Sequence, residues 1–327
     1  MNDTSTQQDT SYNDILGNIG TQLKERQGLI AKRVAFVSLP LILTAVPLIY
    51  FGELAKDVNI SSELKGIVFF VLLSLVLFVA LPWAVISGQI FKVEQIIWID
   101  SFFDKVPLDS KASWKIAKKL FWPSVWLNII VFLRYYVPAI VLSICSLVLY
   151  IVLIAEKVIL FGWLTFLALL IGILVAFAIY VYFISIHLRY LMFVLVDSYK
   201  TKLFSYRTLF SEMCQLNHAT KTSDFTKMLV TLLGIEAAEN ATKVVLGILN
   251  GAVTSKMSNA GKVAGQSASM YYNEVVAANK KYAQAISVYI LYKTARQLVH
   301  GTTQNINHEL YSIATPDEKI TKGELYE

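Results

Sequence analysis

Apolar residues gather along this chain into long runs separated by short polar stretches. The first run covers residues 34–51, VAFVSLPLILTAVPLIYF, and the second, residues 66–90, has no charged side chain. A third tract, residues 126–186, is interrupted by few charges. An α-helix rises about 1.5 Å per residue, so about 20 residues cross the hydrocarbon of a bilayer. The third tract would make a single helix of roughly 90 Å, three times that thickness, and so has to fold back. Within it, VLYIVLIAEKVILFGWL (residues 148–164) holds the only adjacent charges, Glu156 and Lys157. A charge at the bilayer centre costs several kcal/mol, and a turn at the surface avoids that cost. The pair therefore predicts a tight bend between a span over 126–155 and one over 158–186. The expected fold is all-α: a polytopic membrane protein with four transmembrane helices and amphipathic helices beside them. Pro40 and Pro47 predict kinks in the first span, tolerable where the freed carbonyls find other donors.

Between the runs, residues 109–122 read as an interfacial helix. Asp109 or Ser110 caps it and Pro123 stops it. Lys115, Lys118 and Lys119 share one face, and Trp114, Ala117, Leu120 and Phe121 the other, which suits the headgroup plane. A helix packed on another protein helix is the alternative. Residues 225–253 carry a polar stripe of Glu236, Glu239, Asn240, Lys243, Gly247 and Asn250 on an otherwise apolar circumference. Three readings are open for it: a helix on the membrane surface, a helix in a packed cytoplasmic domain, or a fifth span whose stripe lines a polar path. Residues 254–270 are small and polar and read as a connector, although GKVAG has the small-x-x-x-small spacing of close helix contacts. Residues 271–299 form a further helix whose stripe, Tyr282, Ala285, Ile286, Tyr289 and Tyr292, needs a partner. The expected organisation is a polar segment 1–33, a four-span domain 34–190, a helical cytoplasmic or membrane-associated region 191–300 and a loose tail 301–327.

Composition agrees with this picture. Of 327 residues, 56% are hydrophobic and 16% charged, against about a quarter charged in soluble domains. The formal net charge of +6 comes from basic residues flanking apolar runs, which suits anionic headgroups. No nucleic-acid-binding signature accompanies them. Residues 1–33 lack the apolar core of a secretory signal. Lysine and arginine alternate between rich and poor segments: Lys24, Arg26, Lys32 and Arg33; then Lys56 and Lys65; then six lysines from Lys92 to Lys119; then Lys157; then Arg189, Lys200, Lys202 and Arg207. By the positive-inside rule both termini are cytoplasmic, in a plasma (inner) membrane.

Several charges are candidates for a role at the membrane edge. Arg134, in FLRYYVP, reads as an arginine snorkelling to the headgroups beside Tyr135 and Tyr136, the alternative being contact with an anionic substrate. Arg189 and Asp197, in HLRYLMFVLVDSYK, suit a structural ion pair at the same level. RYLMFVLVD followed by LFSYRTLFSEM resembles a pattern in bacterial integral membrane proteins related to the membrane domain of glycerophosphodiester phosphodiesterases. The positions that match are Arg189, Tyr190, Asp197 and Ser211, over about 25 residues. The resemblance implies a membrane module without the catalytic barrel.

Catalytic and metal chemistry has little support. His187, His218, His300 and His308 are scattered, and Cys214 with His218 gives two of the four ligands of a structural zinc. No phosphate-binding glycine loop, nucleophile elbow or zinc-protease motif occurs. No catalytic residue, metal ligand or cofactor is expected. The sequence points to an accessory, scaffolding or assembly component whose partners are membrane lipids and proteins, or a second copy, meeting the C-terminal helices. A transporter or channel subunit, using Glu236, Glu239, Asn240, Lys243 and Arg134, is the rival reading.

Overall fold

The computed structural model describes residues 12–57, 61–106, 108–155, 163–200, 205–255 and 257–300, and among these there is no strand. The elements are α1 (Tyr12–Ile49), α2 (Phe51–Asp57), α3 (Ser62–Leu75), α4 (Leu81–Phe103), α5 (Ser110–Lys119), α6 (Phe121–Val131), α7 (Val137–Ala155), α8 (Trp163–His187), α9 (Leu191–Lys200), α10 (Tyr206–Ala219), α11 (Thr222–Thr254) and α12 (Asn259–His300). A π-helical turn, Val76–Ala80, joins α3 to α4, and another, Phe132–Tyr136, joins α6 to α7. Among the described residues, four helical segments are long and apolar enough to cross a membrane: Leu16–Ile49, Ser62–Phe103, Phe121–Ile154 and Phe166–Tyr199. The protein is an all-α, multi-pass membrane protein. The bend expected at Glu156 and Lys157 lies outside the described residues.

The prolines explain the irregular turns. Each π turn ends two residues before a proline, Pro82 or Pro138. Proline lacks the N–H that would bond the carbonyl four residues back, and a wider turn lets the helix continue past the gap. In α1 the helix runs through Pro40 and Pro47 without a break in its assignment. Pro40 leaves the Phe36 carbonyl without its helical donor, and Trp83 Nε1–H supplies one at 2.9 Å. The Trp83 bond is the replacement partner that a membrane span needs at a proline. Between the third and fourth spans, Tyr180 Oη donates to the Tyr135 carbonyl at 2.9 Å.

The helices group into two compact units, one of α1–α5 with α11 and α12, the other of α6–α10. This grouping differs from the expected boundary at residue 190. The last two helices pack with the first spans, and α9 and α10 belong with the third and fourth.

In the first unit α1 buries Ile19, Gln22, Ile30, Val34, Ser38, Ile42 and Val46, a stripe recurring every three to four residues or a multiple of that. Such a stripe fits one neighbouring helix along its whole length. That neighbour is α12, running antiparallel: Tyr282 Oη donates to Gln22 Oε1 at 2.7 Å, Tyr271 Oη to the Ala31 carbonyl at 3.1 Å, and Val263 packs against Ile42 and Val46. The C-terminal half of α4 is buried on nearly every face, from Ile90 to Ser101 apart from Lys92, enclosed by α1, α5 and α12. Residues 259–270, expected as a connector, are the first turns of α12. Their small residues allow close contact with α11: a Cβ at Gly265 would lie 2.5 Å from Thr254 Cγ2.

Asp109 caps α5 as expected, accepting from the Lys111 amide at 3.3 Å. The expected stop at Pro123 is not observed. Helix α5 ends at Lys119, and Pro123 sits in the first turn of α6, where a missing N–H leaves no helical bond unmade. The α5 face of Ala112, Ser113, Ile116 and Ala117 is buried in the protein, against α4, while Lys115, Lys118 and Lys119 remain exposed.

In the second unit, α7 and α8 leave large apolar side chains uncovered along their length, among them Leu142, Val148, Leu149, Ile171, Leu174 and Phe183. A surface this apolar is suited to acyl chains rather than water.

Candidate functional site

The charged chemistry of the first unit lies in the contacts among α1, α4, α5 and α12 and in that between α11 and α12. Glu94 on α4 is completely buried. A buried carboxylate requires a charged partner and hydrogen-bond donors, and Arg33 on α1 supplies both. Its Nε donates to Glu94 Oε2 at 2.9 Å and its Nη2 to Oε1 at 2.8 Å, the two-pronged geometry that favours arginine over lysine. Arg33 Nη2 also reaches the Ser110 carbonyl at 3.0 Å and Ser110 Oγ at 3.1 Å. The Arg33 guanidinium lies 4.3 Å from the Trp114 ring centre. Ser113 Oγ donates to Glu94 Oε1 at 2.8 Å and accepts Trp98 Nε1–H at 2.9 Å. Three helices are thereby tied through one carboxylate.

Further along α4, Tyr289 on α12 donates to Asp100 Oδ1 at 2.5 Å, and Lys293 Nζ pairs with Asp104 Oδ1 at 2.6 Å. Tyr282 packs edge-on against Trp98 at 6.2 Å, and the Arg26 guanidinium lies 5.7 Å from the centre of the same Trp98 ring. Burial pushes the Tyr282 hydroxyl well above the usual phenol range, so it remains a donor.

A third cluster joins α11 to α12. Lys280 Nζ lies 2.7 Å from Glu236 Oε2 and also pairs with Glu239, which in turn holds Lys243 at 2.6 Å. Hydrogen bonds from Lys243 and Lys280 hold the Glu239 carboxyl below the usual carboxylate range. The bonds to Glu236 and Glu239 raise Lys280. The stripe residues Glu236, Glu239 and Lys243 are thus brought together, with Lys280 added, whereas Asn240 is exposed beside them.

In the second unit Arg134 is exposed and its guanidinium lies 5.2 Å from the Phe210 ring centre and 5.6 Å from that of Tyr135. Arg189 stacks over Tyr190 at 4.6 Å, and Asp197 is buried on α9. Of the four positions carrying the phosphodiesterase-related resemblance, Tyr190 is fully buried and Ser211 exposed. Cys214 Sγ lies 3.9 Å from His187 Nε2, and among the described residues no three His, Cys, Asp or Glu side chains are placed to share a metal ion.

Sequence reasoning did not find Arg33, Glu94, Ser113 or Trp98. The signal was present in IFKVEQIIWID, residues 90–100, where Glu94 has apolar neighbours at every helical spacing. An acid so placed on a helix has no solvated face. The arrangement as a whole consists of carboxylates whose oxygens already hold arginine, lysine, serine or tyrosine, and it acts chemically as a set of inter-helix clamps. Comparison of the chain with protein-family models, with curated proteins and with solved structures found no match.

Proposed function

We propose that the protein is an accessory component of the plasma (inner) membrane, acting in scaffolding or assembly, with both termini cytoplasmic. The observation that carries this reading is the engagement of the polar stripe. Lys280 bridges Glu236 and Glu239, and Glu239 holds Lys243, so these charges serve the contact between α11 and α12. A transport path uses groups that can exchange water, ion and substrate; this stripe is committed to a helix pair. Arg134, the other side chain of the rival reading, lies against Phe210 and Tyr135. The alternation of lysine and arginine along the sequence supports the cytoplasmic placement of the termini. The exposed lysines Lys115, Lys118 and Lys119 suit anionic headgroups, and protein partners meet the parts of the C-terminal helices that do not pack on α1.

Reconstitution tests the reading. Liposomes containing the purified protein are expected to pass sodium, potassium and protons at the rate of empty liposomes, and Glu236→Gln is expected to change nothing. A flux that depends on the wild-type protein and is lost in Glu236→Gln establishes the transporter reading in its place.

A further inference from the structure

The C-terminal half of α11 presents an apolar surface with no protein over it. Val244, Val245, Ile248, Leu249 and Val253 are each more than half exposed. Exposed valine, leucine and isoleucine on one segment mark either a binding surface or contact with lipid. Register decides between them. Val263 of α12 packs against Ile42 and Val46, and Tyr50 and Leu54 lie against the same cluster. Helix α12 also touches α2, which follows the first span in the chain. The partner helices α11 and α12 are held together near this end by Gly265 against Thr254. The connection between α11 and α12 therefore lies level with the far end of the first span, while Lys280 and Tyr282 lie level with its polar N-terminal extension.

We propose that residues 244–273 form a hairpin that crosses the bilayer beside the first span, with acyl chains covering the outer face of α11 and the tip at the surface opposite the termini. The proposal rests on the reading that residues 34–51 cross the membrane. Charge placement matches it. Residues 244–254 and 263–273 carry no charged side chain; in the sequence, Lys243 and Glu274 bound them on the outside, and Lys256 and Lys262 fall between them. Each uncharged leg is about 17 Å long, shorter than the roughly 30 Å of hydrocarbon. Snorkelling lysines and local thinning of the bilayer make up such a difference. A hairpin enters and returns, so it keeps both termini on one side, which a lone fifth span does not. The legs escape recognition by composition because their polar residues, such as Asn250, Gln266 and Ser267, dilute the apolar ones.

The test uses the full chain in a background carrying Cys145→Ala and Cys214→Ser. In intact cells Ser255→Cys is expected to react with a membrane-impermeant maleimide, as does Ser61→Cys, the reference beyond the first span. A spin label at Ile248→Cys is expected to collide often with oxygen and rarely with a water-soluble nickel chelate. Reaction of Ser255→Cys only after permeabilisation, or not at all, overturns the hairpin while Ser61→Cys still reacts. Frequent nickel collisions at position 248 overturn the lipid contact. If Ser61→Cys itself fails to react from outside, the topology beneath the proposal is wrong, and that result is distinct from the other two.

Discussion

Trp83 donates its indole N–H to the carbonyl of Phe36, the acceptor that Pro40 strips of its helical donor. The rings of the two residues also meet edge-on at 5.0 Å. One side chain on the second span thus repairs the backbone of the first and packs against it. Trp83→Phe keeps most of the ring contact and leaves the carbonyl unsatisfied, a cost of about 1–3 kcal/mol. In a Pro40→Ala background an alanine N–H is available to the same carbonyl, so the effect of Trp83→Phe is expected to shrink. Thermal unfolding of the four proteins in detergent measures the coupling, and equal effects in both backgrounds would refute it.

Arg33→Met is expected to be among the most damaging substitutions in the first unit, because it strands the buried Glu94. Breaking a buried pair from one side costs about 3–5 kcal/mol. The double variant Arg33→Met with Glu94→Leu removes both charges and is expected to recover much of that loss. Unfolding midpoints of the single and double variants decide the matter.

The clamp between α11 and α12 should respond to pH through Glu239. Its carboxyl is held below the usual range in the folded protein by Lys243 and Lys280. A depressed folded value means that its stabilisation is full above the unfolded carboxylate value of about 4.3 and is lost as pH falls through the folded value. Lys280 is raised, so its contribution is full below the ordinary lysine range and is lost only as pH rises through the folded value. The hydrogen-exchange protection of α11 and α12, taken relative to the intrinsic amide rate at each pH, is therefore expected to be flat near neutrality and to fall on acidification. Glu239→Gln should remove most of the acid-side response.

Tyr289→Phe and Tyr282→Phe both delete a buried hydroxyl donor, yet their costs should differ. Tyr289 bonds a carboxylate and Tyr282 an amide oxygen. Hydrogen bonds to charged groups contribute about 1.5–3 kcal/mol and neutral ones about 0.5–1.5. The expected order, Tyr289→Phe the more damaging, is read from denaturation midpoints.

Lys105 follows the end of α4 with φ of 56°, a left-handed conformation that suits glycine. Its amide bonds the Phe102 carbonyl and that of Val106 the Ser101 carbonyl, closing the helix. Lys105→Gly is expected to stabilise the protein by about 1 kcal/mol, seen as a higher unfolding midpoint.

The spans were legible because apolar length alone reports them: residues 34–51 and 66–90 are stretches that only a helix in lipid can satisfy. The all-helical class follows from the same fact. Partners across the chain were not legible. The stripe of Tyr282, Ile286, Tyr289 and Tyr292 announced that it required a neighbour, but nothing local named α1 and α4 as that neighbour. Glu94 was not singled out, since burial of a charge depends on a distant arginine. The GKVAG spacing pointed to close helix contact, and Gly265 against Thr254 is that contact; the polar character of its surroundings hid the helix that carries it.

Helix α12 lies along α1, and the two are joined by a hydrogen bond between residues 240 positions apart. On the ribosome, the earliest helix therefore emerges long before its mate and must pass the intervening synthesis with its stripe uncovered. Completion of the first unit is a late event, set by arrival of the final helix rather than by insertion of the opening one. A chain halted after α10 would hold its apolar spans yet lack the strap that closes them, and it would present Ile19, Ile30 and Val34 to whatever chaperone or protease surveys unfinished membrane proteins.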